Sequence, residues 1–286
     1  MPEILLCTDL DRTLLPNGLQ AESPNARQWF VEAVNYPGLQ LAYVSGRSLA
    51  LMQQAIVEYN LPLPDFAITD VGSLIYRREG KHYRPLPGWQ HYIAADWGSH
   101  NSQSLAHTIG ELPHLKLQPA QQQQQYKLSY QIVPATAMAE DIALLQQQLL
   151  AMAINVRLIS SIDETSNMGL VDLLPQRAGK RQAIDFLVQS LSLAASQIFF
   201  SGDSGNDLDV LISPYRTALV KNATTDVVAS ALQGSQAQGT QHCLYLAQGL
   251  PELGLNGNYS AGIVEGLWHF FPELKTWLAA KRQGNG

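Results

Sequence analysis

Residues 4–15 read Ile-Leu-Leu-Cys-Thr-Asp-Leu-Asp-Arg-Thr-Leu-Leu. An apolar run, Ile4 to Cys7, stops at two carboxylates one residue apart, Asp9 and Asp11. Such a run, bounded by polar residues, is the pattern of a strand buried on both faces. Two like charges this close raise each other's pKa and cost free energy unless something positive holds them. The stretch FFSGDSGNDLDVL at 199–211 repeats the situation with Asp203 and Asp207. One cation, held together with a phosphate by both stretches, would offset the repulsion in each.

Strand and helix alternate outward from this point. Residues 23–35 open on Ser-Pro, a cap followed by a proline at the first helical position. Residues 39–46 form a second strand running into Ser45-Gly46-Arg47, and 48–60 a helix. FAITD and the following hairpin, turning at Glu79-Gly80, close the first part. The alternation resumes at Leu170 with a strand ending at Pro175, a helix over 178–191 and a strand over 197–203. A helix from about Asn206, a strand over 216–222, a helix from 224, an edge strand at 242–247 and a closing helix near 258–271 follow. Between these parts the pattern changes. Helices at 102–112 and 137–152 mix with strands at 127–133 and 155–160, and Gln121–Gln125 reads as a loop. The expected fold is α/β: a doubly wound, Rossmann-like parallel-sheet core of residues 1–84 and 170–286. A smaller α+β domain, residues 85–169, is inserted into it, with crossings near 84–88 and 167–169.

The 286 residues are 46% hydrophobic and 15% charged, with a net charge of −6, which predicts a globular chain with ample core. The acidic balance and the lack of a Lys/Arg run argue against nucleic acid as a partner. No apolar stretch approaches the roughly 18 residues of a membrane span. The N-terminus lacks the basic region of a signal peptide. Cys7 and Cys243 give no disulfide framework and fit a reducing, cytoplasmic setting.

In a parallel α/β sheet, ligands sit beyond the carboxyl ends of the strands. Asp9/Asp11/Thr13, Ser45-Gly46-Arg47, Lys180 and Asp203/Asp207 all fall at such ends or just past them. A carboxylate at Asp9 is suited to attack phosphorus and form an acyl phosphate. One at Asp11 is suited to protonate the leaving oxygen and later to activate water. Asp203 and Asp207, four apart, share a face if a helix starts after Gly202. Their oxygens suit Mg²⁺ rather than a calcium loop, since Leu208 stands where an EF-hand needs glycine. Ser45, backbone N–H groups at a helix start and Lys180 would hold phosphate oxygens. The seven histidines are scattered, with no pair at metal-ligand spacing.

DLDRT at 9–13, SGR at 45–47, Lys180 and GDSGND at 202–207 resemble the four motifs of the haloacid dehalogenase superfamily of phosphatases. The insert resembles that superfamily's C2-type cap. The resemblance implies a Mg²⁺-dependent phosphatase with Asp9 as nucleophile and Asp11 as general acid/base. Ser45, Gly46 and Lys180 become phosphate ligands. Asp203 and Asp207, with Asp9 and the Asp11 carbonyl, become the metal shell, and Asn206 orients Lys180 or a metal-bound water. VDLLPQRAGKRQAI (171–184), YKLSYQI (126–132) and YSAGIVEGLWHF (259–270) are similar to segments of sucrose-phosphate phosphatases. That similarity implies a sugar phosphate, foremost sucrose 6-phosphate, bound between core and cap. Arg47, Lys127, Ser129, Tyr130 and Gln176 are its candidate contacts, with Asn206 beside them. The C-terminal extension of plant members is absent from this sequence, as in shorter bacterial forms. Sister families acting on mannosylfructose, mannosylglycerate or glucosylglycerol phosphates share the pattern, and a phosphosugar mutase uses the same scaffold. The resemblance also leaves room for association with a sugar-phosphate-synthesising glycosyltransferase.

Overall fold

The computed structural model describes residues 3–163 and 168–284. In chain order the strands are β1 (Ile4–Thr8), β2 (Leu39–Val44), β3 (Phe66–Thr69), β4 (Leu74–Glu79) and β5 (His82–Pro85). Then come β6 (Leu115–Leu117), β7 (Leu128–Ile132), β8 (Val156–Asp163) and β9 (Met168–Pro175). The last are β10 (Ile198–Gly202), β11 (Arg216–Leu219) and β12 (Leu244–Leu246). The helices are α1 (Ala26–Val34), α2 (Leu49–Glu58), α3 (Trp89–Ala94), α4 (Ser102–Ile109) and α5 (Met138–Ala151). After them come α6 (Lys180–Leu191), α7 (Leu208–Leu211), α8 (Thr225–Gln238), α9 (Ser260–Phe270) and α10 (Pro272–Gly284).

An eight-stranded sheet runs in the order β12-β11-β10-β1-β2-β3-β4-β5. Its first six strands are parallel, and the β4–β5 hairpin closes one edge antiparallel. Alternation along β1 explains the three layers. Ile4 and Leu6 pack on one face with Phe30 of α1, Met52 of α2, Leu267 of α9 and Leu278 of α10. Leu5 and Cys7 pack on the other with Trp89 of α3, Ile184 of α6 and Leu211 of α7. The doubly wound sheet expected from the sequence is therefore present.

A four-stranded antiparallel sheet, order β6-β7-β9-β8, forms a second unit. Leu128, Tyr130 and Ile132 of β7 bury one of its faces against Leu105 of α4 and Leu145 of α5. Leu170–Pro175, which the pattern assigned to the large sheet, lies here as β9, paired with both β7 and β8. An apolar run shows that a strand is buried but not which sheet buries it. Of the expected second crossing, Asn167 lies outside the described residues, and Gly169 is paired within β9. The chain returns to the large sheet after Pro175. Trp89 and Ile93 of α3, placed in the insert by the sequence reading, pack in the core of the large unit.

Two further differences concern helices. The helix expected from Asn206 is only a single 3₁₀ turn, Gly205–Asp207, and the short α7. The chain also carries α10, begun by Pro272 immediately after α9, where the proline ends one helix and starts the next. Among the described residues, no helix is long and apolar enough to cross a membrane.

Candidate active site

The sheet order places β10, β1 and β2 side by side, so their carboxyl ends deliver Asp203, Asp9 and Ser45 to one edge. The Asp9 N–H donates to the Ser201 carbonyl (2.9 Å), which fixes where β1 ends. Asp9, Asp203 and Asp207 are all buried. Each offers a carboxylate oxygen, and the three oxygens lie within 4.8 Å of one another. Buried oxygens at this mutual distance fit a hard divalent cation. The Asp11 side chain is not in this group.

Asp203 and Asp207 meet by a different route from the shared helical face. Asp203 ends the strand, and Asp207 folds back from the 3₁₀ turn to accept the N–H groups of Asp203 and Ser204, both at 3.1 Å. Gly202 makes room for this. A Cβ there would stand 2.6 Å from the Asp207 Cγ.

Lys180, first residue of α6, reaches into the same place. Its ammonium lies 3.0 Å from Asp9 and 2.7 Å from Asp207, and donates to the Asn206 Oδ1 at 2.9 Å. Asn206 thus orients Lys180. The start of α6 is set by close backbone approach. Gly72, at φ +89°, lies so near Gly179 that a Cβ would fall 2.3 Å from its carbonyl group.

The electrostatics follow from burial. Burial pushes the Asp9 carboxyl well above its usual range, and Asp207 and Asp203 push it the same way against the pull of Lys180. Asp203 rises to about 7 through burial and the neighbouring Asp207, although Arg12, Lys180 and Thr13 oppose this. Burial of Lys180 favours its neutral form, but Asp207 and Asp9 outweigh that and hold it protonated.

Asp11 differs. Arg47 grips it with two parallel hydrogen bonds, Nε to Oδ2 at 2.8 Å and Nη2 to Oδ1 at 2.6 Å. Asn17 adds a third at 2.7 Å. Burial alone would raise the Asp11 carboxyl, but the hydrogen bonds and charge of Arg47 carry it below its ordinary value. Ser45 is buried, and its Oγ accepts the Arg47 N–H at 3.2 Å.

The small sheet brings other polar groups to this edge. Lys127, buried, sits 3.8 Å from Asp70 at the end of β3 and 3.9 Å from Asp172 of β9. The Ser129 hydroxyl donates to Asp172. The Asp70 N–H in turn donates to the Arg47 carbonyl at 2.9 Å, so this cluster abuts the Ser45–Arg47 loop. Burial lifts the Asp70 carboxyl to about 6, with Lys127 opposing. Tyr130 does not join the cluster. Side chains alternate along β7, and Tyr130 lies in the apolar core on the opposite face. Gln176 follows β9, its carbonyl accepting from Arg157 at 3.3 Å.

Four contributors escaped the sequence reading. Asp70 carried a usable signal, since FAITD ends a strand in a carboxylate as the stretch at Asp9 does. Arg12, Asn17 and Asn222, whose Nδ2 donates to the Arg12 carbonyl, carried none, because their partners are set by loop geometry.

A Rossmann-like sheet with paired aspartates beyond β1, a lysine at a helix start and two further aspartates beyond β10 defines a phosphatase of the haloacid dehalogenase superfamily, a phosphoric monoester hydrolase. Comparison with known proteins narrows this. Residues 2–271 match the sequence profile of the family described as sucrose-6F-phosphate phosphohydrolase, and the chain belongs to that family. It is 48% identical over 281 residues to a protein of Nitrosococcus oceani named only as a HAD-like hydrolase, covering 98% of this chain and 75% of that one. It is 26% identical over 276 residues to sucrose-phosphatase 1 of Nicotiana tabacum, covering 93% of this chain and 59% of the tobacco protein. It also resembles the crystal structure of the sucrose-phosphatase from Synechocystis sp. PCC6803 in complex with sucrose and phosphate. There the TM-score is 0.73 at 28% identity, with 94% of this chain and 98% of that one covered.

Proposed function

We propose that this chain is a Mg²⁺-dependent phosphatase that releases inorganic phosphate from a sugar phosphate, with sucrose 6-phosphate the leading substrate. The observation that carries the reading is the buried convergence of Asp9, Asp203, Asp207 and Lys180 on one edge of the sheet. Asp9, Asp203 and Asp207 would hold the Mg²⁺, with the Asp11 carbonyl. When bound, the ion neutralises carboxylate repulsion and developing phosphate charge. In the first step a carboxylate oxygen of Asp9 attacks phosphorus, and the bond to the sugar oxygen breaks. Released by Arg47 as substrate enters, Asp11 takes up a proton; it donates that proton to the sugar oxygen, and the sugar leaves as an alcohol. In the second step Asp11 takes a proton from water, whose oxygen attacks phosphorus and frees Asp9 and phosphate. Ser45, the Gly46 backbone and Lys180 hold the equatorial oxygens.

The smaller sheet, with α4 and α5, is read as a cap that selects the sugar. Lys127 and Ser129, with Asp172 and Asp70, offer charged and hydroxyl partners suited to sugar hydroxyls beside the phosphate loop. Arg47, which holds Asp11, would turn toward the entering substrate. The test is phosphate release across sucrose 6-phosphate, other disaccharide phosphates and hexose phosphates. Preference for sucrose 6-phosphate supports the reading. Preference for another glycosyl phosphate redirects the substrate, and phosphoryl transfer to a sugar without net phosphate release indicates a mutase.

A further inference from the structure

Arg12 directly follows Asp11 and adopts a left-handed backbone, φ +59°. Residues with a side chain seldom do so unless their surroundings hold them there. Two asparagines hold this one. The Arg12 N–H donates to Asn17 Oδ1 at 2.8 Å, and the Arg12 carbonyl accepts from Asn222 Nδ2 at 2.6 Å. Asn222 is itself buried and fixed, its Oδ1 accepting the Tyr259 N–H at 2.9 Å. The held backbone sends the guanidinium back to the carboxylate cluster, where Nε stands 3.3 Å from Asp203 Oδ2. Asp203's other oxygen accepts from Thr13 at 3.1 Å. The positive charges are thus divided. Lys180 pairs with Asp9 and Asp207, and Arg12 pairs with Asp203.

We infer that Arg12 is a positioning residue of the metal site: a built-in counter-charge that keeps the carboxylates assembled without the ion and weakens the ion's hold. This rests on the reading that the cluster binds a divalent cation. Three carboxylates already face two fixed cations, so an arriving divalent ion meets the repulsion of Arg12 at Asp203. A set point of this kind favours an enzyme whose metal exchanges readily over one that holds it permanently.

The probe is Mn²⁺ binding to the protein without substrate, followed by the electron paramagnetic resonance of free Mn²⁺. Asp203→Asn defines the signal belonging to the cluster. Arg12→Gln should bind Mn²⁺ about tenfold more tightly than wild type, the scale of one unit charge acting on a divalent ion across solvent-screened surroundings. Arg12→Lys, which keeps the charge, should return the affinity to within about threefold of wild type on the same reasoning. Equal or weaker binding by Arg12→Gln overturns the inference while leaving the metal reading in place. So does an Arg12→Lys variant as tight as Arg12→Gln, which would assign the effect to shape. Wild-type protein with no Mn²⁺ binding sensitive to Asp203→Asn overturns the metal reading itself, and the inference with it.

Discussion

Arg47 holds Asp11 in a fork of two hydrogen bonds, at 2.8 and 2.6 Å, and the Asp11 side chain is not among the three carboxylates, Asp9, Asp203 and Asp207, that converge beside it. The pair sets the Asp11 carboxyl below its ordinary value. Loss of the guanidinium must therefore raise it. If Asp11 is the acid that protonates the leaving oxygen, Arg47→Ala should move the alkaline limb of the kcat/KM profile, which reports the substrate-free enzyme, to higher pH. KM should rise as well if Arg47 turns toward the substrate as proposed. The check is kcat/KM against pH for both proteins; an unmoved alkaline limb would take the proton away from Asp11.

The metal-free protein should lose stability as pH rises from about 4 to about 7. Asp203 is raised in the folded state from 3.8 to about 7. A raised carboxyl favours the folded state while it is protonated, and that advantage fades as pH climbs through the folded value. Mg²⁺ should reverse the trend near neutrality by binding the ionised cluster. Thermal unfolding with chelator and with Mg²⁺ across this range measures both. Parallel curves would mean that no ion binds here.

Turnover should require Mg²⁺, and Ca²⁺ should inhibit. Calcium takes more ligands at longer distances and spoils the alignment of Asp9 with the phosphate. Full phosphate release after exhaustive chelation would count against the cluster's proposed role.

Lys127→Ala should weaken binding of the preferred disaccharide phosphate by about 1.5–3 kcal/mol, the scale of a hydrogen bond to a charged group. It should scarcely affect p-nitrophenyl phosphate, which lacks the sugar. Equal losses on both substrates would instead assign Lys127 to holding the two units together through Asp70, 3.8 Å away.

The order of strands and helices was legible because buried parallel strands and amphipathic helices leave distinct periods in the sequence. Ile4–Cys7 and Phe199–Ser201 announced themselves, and with them Asp9 and Asp203. What stayed hidden depended on three-dimensional pairing. The run at 170–175 could not declare which sheet it joined. The spacing of Asp203 and Asp207 suggested one helical face, whereas a strand end and a folded-back 3₁₀ turn bring them together. Tyr130 sat within a motif whose neighbours alternate, and the alternation sends it into the apolar core. Arg12 and Asn222 are 210 residues apart and meet only because β1 and β11 end on the same edge.

In the proposed reaction Asp9 carries the phosphoryl group. It is tested most directly by quenching the enzyme in acid during turnover of sucrose 6-phosphate and locating phosphoryl mass on its peptides. That mass should fall on the peptide containing Asp9, with more of it in Asp11→Asn, where release by water is slowed, and none in Asp9→Asn, which should also lose turnover. Sustained phosphate release by Asp9→Asn, or a phosphoryl group found on another residue, would contradict it.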